Sequence, residues 1–381
     1  MKKLTRSITI LLFAILAAIS CSKDNPQPIT NAKLGNLFDS FWVGMNKNYV
    51  FWDIDTIDWE RTYIQYKPVF NSLNINSESD NRKAFDYLRT LTSKFVDGHF
   101  SIRFYNQFLQ NSVIYPSYYS KVTTGVDPFN YIKIDTALLD AGYSVGYDSV
   151  NIINGNIMTA VCGTIRSNIL FFSCNAFNLY KLYTSPQPNS VAHVVQRLLD
   201  GIKNETYKGL IIDVRNNPGG NLQDLNFLVG QLVNQKHAFG FTRYKTGNGR
   251  LDFSPWIQSF INPVQGSVNF NKPKIVLTDQ YSASLSELIT MAIRSLPNSY
   301  VIGERTWGAT GILTDNQLYN SGQFEVENYM KVITTSVVFK YLDNKIYESI
   351  GFAPDIRVPF NRFLLEAGKD LTLEQAVNLI K

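Results

Sequence analysis

Apolar positions recur along the chain with three different periods. From Lys33 to Phe95, through "KLGNLFDSFWVGMNKNYVFW" and on to "DNRKAFDYLRTLTSKF", they return every three or four residues between short polar breaks. That spacing predicts a small helical subdomain over 33–97. From Phe100 to about Phe177 the chain changes to short runs of Ile, Val, Tyr and Phe separated by Gly and Asn, which predicts β-structure. From Val191 onward the two periods alternate. "VAHVVQRLLDGI" reads as a helix, "GLIIDV" as a buried strand, "LQDLNFLVGQLV" as a helix, "KIVLT" as a strand, "LSELITMAIRSL" as a helix and "YVIGE" as a strand. This alternation predicts a mixed α/β core with parallel strands. Antiparallel strands are expected over 324–341, and "DLTLEQAVNLIK" ends the chain as an amphipathic helix.

The first residues follow another logic. Lys2, Lys3 and Arg6 precede an apolar run from Ile8 to Ile19, then Ser20 and Cys21. The run is shorter than the ~20 residues that span a bilayer, so it predicts a secretory signal over 1–20 rather than a membrane helix. The "AISCSKDNPQP" stretch resembles the cleavage site of bacterial lipoproteins. The resemblance implies a lipidated Cys21, a polar tether over 21–32, and a body held at the outer membrane of a Gram-negative cell, facing the periplasm or the cell surface.

Composition narrows the classes. The formal net charge is +5, and removing residues 1–20 takes away Lys2, Lys3 and Arg6 and no acid, leaving +2. No basic patch remains to bind nucleic acid. With 45% hydrophobic and 13% aromatic residues the chain can bury a large core. Beyond Cys21 only Cys162 and Cys174 remain, both in apolar runs where buried free thiols are expected. There is no CxxC and no HExxH, so neither a metal site nor a cofactor is expected.

The chemistry concentrates in two places. In "SASLSE" three serines precede a helix, and Ser284 falls at its N-cap, where Ser284 and Glu287 form a capping box. The same strand-to-helix turn would also hold a nucleophile at the carboxyl edge of a sheet. In "GLIIDVRNNPGGNLQDL" a buried strand runs into Gly219 and Gly220, whose amides could face a developing oxyanion. No Lys-Ser/Thr follows them, which argues against a phosphate loop.

In order, "GLIIDVRNNPGGN", "SASLSE", "VIGERTWGATG" and "GFAPDIRV" resemble the motifs of the C-terminal processing (tail-specific) serine protease family, over roughly Val191 to Val358. The resemblance implies an α/β fold with a mixed-sheet, ClpP/crotonase-like spiral of β-β-α units over 98–381. It also implies Ser284 as nucleophile, oxyanion donors among Gly219, Gly220 and Leu285, and protein or peptide substrates. The lysine-dependent branch carries its base in "T-aromatic-G-K-G", and here "TWGATG" has Ala309 in the lysine's place. A serine hydroxyl without a base is a poor nucleophile.

The branch that resembles the tricorn core and retinoid-binding proteins instead takes a histidine from an upstream "DGH" and a glutamate near "G-x-x-P-D". "FVDGHFSIRF" supplies His99, and "IYESIGFAPDIRV" supplies Glu348. In that branch a serine precedes the histidine, and here Gly98 does. Either Glu348 reaches His99 directly, or a hydroxyl or water bridges them, or Asp97 orients the ring. His193 and His237 have no such support. No glycine-rich carboxylate-binding loop lies between Ser101 and Tyr180, so no PDZ module is expected, and general peptides or unfolded proteins are the expected substrates. The alternative is a catalytically silent, lipid-anchored protein that binds a peptide or another ligand in a protease fold; Ala309 and Gly98 favour it. The sequence assigns no oligomeric state.

Overall fold

The computed structural model describes residues 33–122, 128–153, 156–204, 206–314 and 322–380. The expected signal, Cys21 and the tether lie outside them. Among the described residues no helix is long and apolar enough to cross a membrane.

The central sheet has seven strands in the order Ile356–Arg357, Ser299–Gly303, Lys274–Thr278, Gly209–Asp213, Ile169–Cys174, Asn156–Ile165 and Ser144–Ile153. The first five run parallel, and the last two join antiparallel. "GLIID" and "KIVLT" are buried at every position because helices cover both faces. Leu210, Ile212 and Val276 point to one apolar core with the helices Ser190–Lys203 and Leu285–Arg294. Ile211, Ile275 and Leu277 point to another with the helix Leu371–Leu379. The continuous apolar runs are two interleaved half-faces. Cys162 and Cys174 are buried free thiols, and burial pushes Cys162 up to about 12.

The helices Leu34–Asn48, Trp59–Asn71 and Glu78–Thr92 do not stand alone. They share a core with a four-stranded antiparallel sheet that draws on Ser101–Phe104, Val113–Ile114, Gln323–Val326 and Met330–Ile333. Phe41, Phe100, Phe104, Tyr329 and Met330 all meet there. The apolar core therefore crosses the boundary drawn between residues 97 and 98. One pairing matters for the site: Ser101 faces Ile333, so the chain just before the one and just after the other run side by side.

The expected β-region from 100 to 177 contains two helices, Pro116–Val122 and Ile132–Leu138. Tyr131, Lys133 and the two isoleucines alternate like a strand over four residues. Tyr131 and Ile134, three apart, instead pack together with Leu365, and that contact selects the helix.

Candidate active site

Ser284 stands between the buried strand Lys274–Thr278 and the helix Leu285–Arg294, at φ +57° and ψ −119°. A positive φ at a serine costs on the order of 1–3 kcal/mol and persists only where neighbours fix it. They do. Ser284 N–H donates to Glu287 Oε2 at 3.1 Å, and Ala283 N–H to the Asn217 carbonyl at 3.0 Å. Of the three serines, Ser282 donates its hydroxyl to the Val214 carbonyl at 2.8 Å and Ser286 to the Asn217 carbonyl at 2.7 Å. Those two stitch the serine turn to the glycine loop; of the three, only the Ser284 hydroxyl faces an imidazole ring.

That ring is His99, whose Nε2 lies 3.0 Å from Ser284 Oγ across 185 positions of sequence. The imidazole is buried, and burial pushes its pKa below the usual 6.5 against the opposing pull of Asp97. Of the other histidines, His193 is exposed on its helix and His237 bonds Ser295 at 3.1 Å.

Glu348 reaches this loop, though through the backbone. Its Oε1 accepts from Gly98 N–H at 2.6 Å, and its Oε2 from Gly311 N–H at 2.7 Å and the Thr310 hydroxyl at 3.1 Å. Burial, with Asp97 next in effect, raises its pKa well above the usual carboxylate range. The other side of the ring belongs to a residue with no sequence signature. Thr335 Oγ1 is 3.5 Å from His99 Nδ1, and it donates to Asp97 Oδ1 at 2.8 Å. Asp97 also accepts from Thr335 N–H and from His99 N–H, each at 2.8 Å. Among the described residues Asp97, His99 and Glu348 are the one group close enough to share a cation, with polar atoms within 4.8 Å. Their oxygens are already taken by N–H and O–H donors, which makes the cluster a hydrogen-bond network.

The two departures from the family pattern are one contact. A Cβ built on Gly98 would lie 2.5 Å from the Gly308 carbonyl oxygen and 2.7 Å from Ala309 Cβ. The histidine loop thus occupies the room beside Ala309, which is itself buried against Tyr281, Ala283 and Trp307. Glu287, expected only to cap, anchors this segment as well. It accepts from Thr306 Oγ1 at 2.6 Å, Gly308 N–H at 2.8 Å and Ala309 N–H at 2.7 Å.

On the side of the glycine loop, Gly219 at φ +99° lies so close to the serine turn that an added Cβ would be 2.8 Å from Ser284 Cβ and 2.7 Å from Leu285 N. Its N–H is given to Asn217 Oδ1 at 2.9 Å. Among the described residues Leu285 N–H and Gly220 N–H have no hydrogen-bond acceptor, which leaves them as the candidate oxyanion donors.

Residues 175–358, which hold the serine, both glycines and Glu348, match peptidase family S41. The match spans just under half of the chain, and it is there that the chain resembles the family. His99 comes from outside the matched stretch and joins the S41 core only through folding. The chain is 26% identical over 171 residues to carboxyl-terminal-processing peptidase 3 of Arabidopsis thaliana, covering 44% of this chain and 29% of that protein. It is 25% identical over 181 residues to the tricorn protease of Thermoplasma acidophilum, covering 47% and 15%. The matched region is thus less than a third of either relative's length. In fold it resembles a candidate peptidase from Parabacteroides merdae, with TM-score 0.68, 22% identity and coverage of 92% of this chain and 97% of that one. It also resembles mature CPAF complexed with lactacystin, with TM-score 0.58, 13% identity and coverage of 91% and 97%.

Within this core one buried acid ties the glycine loop to the serine turn. Asp279 Oδ1 accepts from Asn216 N–H and Tyr281 N–H, each at 2.9 Å, and burial raises its pKa to about 6. A carboxyl that holds its proton more tightly folded than unfolded stabilises the fold most below pH ~4. Stability then falls as pH rises to about 6 and levels off. About two pKa units correspond to roughly 3 kcal/mol. Asp279→Asn keeps the accepting oxygen and removes the charge. It is expected to raise the unfolding free energy from denaturant titration above pH 6, by up to about 3 kcal/mol, and to leave it nearly unchanged below pH 4.

Proposed function

We propose that the protein is a serine endopeptidase that hydrolyses peptide bonds through an acyl-enzyme. The observation that carries this reading is the 3.0 Å contact between His99 Nε2 and Ser284 Oγ, at a serine held in a strained strand-to-helix turn. His99 takes the hydroxyl proton as Ser284 Oγ bonds to the peptide carbonyl carbon, and Leu285 N–H and Gly220 N–H receive the oxyanion. The imidazolium then protonates the leaving amine as the C–N bond breaks. Water, deprotonated by His99, releases the acyl group and restores the serine. Peptides or unfolded proteins are the proposed substrates. The proposed location is the outer membrane, through a lipid on Cys21, since the N-terminal residues have the lipoprotein pattern.

The silent-binder reading leaned on Ala309 and Gly98. Both are accounted for by the packing of the histidine loop, which supports the catalytic reading. A fluorophosphonate probe is expected to label the wild-type protein and not Ser284→Ala. A folded wild-type protein that takes no label would favour the binder.

A further inference from the structure

His99 makes its 3.0 Å contact with Ser284 through Nε2, so when Nε2 accepts the serine proton, Nδ1 carries the ring's own proton. That proton needs an acceptor in a buried place. Glu348 is one of the candidates named from the sequence, beside a bridging hydroxyl or water and Asp97, yet both its oxygens are held by Gly98 N–H, Gly311 N–H and the Thr310 hydroxyl. The atom on the Nδ1 side is Thr335 Oγ1 at 3.5 Å, the outer limit of a hydrogen bond, a distance that can shorten once substrate is bound. Its hydroxyl hydrogen is spent on Asp97 Oδ1 at 2.8 Å, which turns its lone pairs toward the ring. Asp97 is fixed in turn by Thr335 N–H and His99 N–H.

We infer that Thr335 and Asp97 are the positioning residues of the base. Nδ1–H donates to the Thr335 hydroxyl, which donates to the Asp97 carboxylate, while Glu348 braces the histidine loop through its backbone. The relay rests on the catalytic reading of Ser284 and His99, but its geometry can be read without turnover. Thr335 is fully buried, and it arrives beside His99 because Ser101 pairs with Ile333. Its methyl group lies against Gly311, where an added glycine Cβ would be 2.4 Å from Thr335 Cγ2. Valine therefore replaces its shape and removes only the hydroxyl. The titratable groups around the imidazole are Asp97 and Glu348, with Glu287 and Tyr115 beyond them.

The test uses ring-labelled histidine NMR, tractable because the chain has three histidines, together with the rate of fluorophosphonate labelling as a function of pH. In wild type the neutral His99 ring is expected to carry its proton on Nδ1. Thr335→Val is expected to mix the tautomers, lower the His99 titration midpoint and slow labelling about 10-fold or more. Thr335→Ser is expected to restore all three, which a purely packing role for the side chain would not do. Wild-type tautomer and midpoint in Thr335→Val would overturn the inference, as would a midpoint that moves in Glu348→Gln and stays put in Thr335→Val. The ring spectrum does not depend on turnover. A protein that takes no label yet shows these tautomer changes would therefore sink the catalytic reading and keep the relay.

Discussion

Replacing His99 with alanine is expected to slow both fluorophosphonate labelling and peptide hydrolysis at Ser284 by about 10³-fold or more, at any pH where the wild type is active. The size follows from the absence of a substitute. Ala309 stands where the lysine-dependent branch has its base, and the room beside it is filled by the histidine loop itself. A serine hydroxyl with no base at 3.0 Å returns to its ordinary, weakly nucleophilic state. Wild-type activity should fall on acidification as His99 takes up a proton, with its acid limb below pH 6.5, because burial lowers the ring's pKa. Stability has the same sign. A histidine that is harder to protonate when folded makes unfolding easier as pH drops below about 6.5, where the unfolded chain binds the proton first. A His99→Ala protein that keeps more than a tenth of the wild-type labelling rate would show that some other group takes the proton.

The second large effect concerns Gly98, where the tricorn-like pattern has a serine. Restoring that serine is expected to damage the protein. Its Cβ would meet the Gly308 carbonyl oxygen at 2.5 Å and Ala309 Cα at 2.6 Å, backbone atoms that cannot rotate away. Moving the loop to relieve this also pulls Gly98 N–H from Glu348 Oε1, now at 2.6 Å, and leaves a buried carboxylate oxygen short of a donor. Overpacking of this kind costs about 1–3 kcal/mol, and the unsatisfied acceptor adds a similar amount. Gly98→Ser is therefore expected to lose about 2–5 kcal/mol in denaturant unfolding and to separate His99 from Ser284. Adding Ala309→Gly removes the Cβ contact at 2.7 Å but neither backbone contact, so the double variant is expected to recover little. A Gly98→Ser protein within about 0.5 kcal/mol of wild type would mean the loop has more slack than these distances allow.

Much of the S41 core is legible along the chain for a simple reason. A strand covered on both faces must be apolar throughout, so "GLIIDV" and "KIVLT" announce themselves. A helix that follows such a strand places its N-cap at the sheet edge, which marks Ser284. The reading falters where periods are short. Four alternating residues at 131–134 look like a strand and fold as helix because Tyr131 and Ile134 share a partner in Leu365, more than two hundred positions away.

The site divides in the same way. Local pattern alone determined where the serine turn and the glycine loop lie, because turn geometry and capping are set by residues within a few positions of one another, while the choice of Ser284 as nucleophile over a mere cap came from likeness to a family. His99 and Glu348 could be named only by likeness to a family. Which hydroxyl and which carboxylate face the ring, why glycine must precede it and why alanine replaces the lysine were decided by the tertiary structure. The pairing of Ser101 with Ile333 brings Thr335 to His99, and the histidine loop packs into the space beside Ala309. A threonine at the end of a strand looks the same in sequence wherever that strand docks. Its chemistry here comes from neighbours that only the fold supplies.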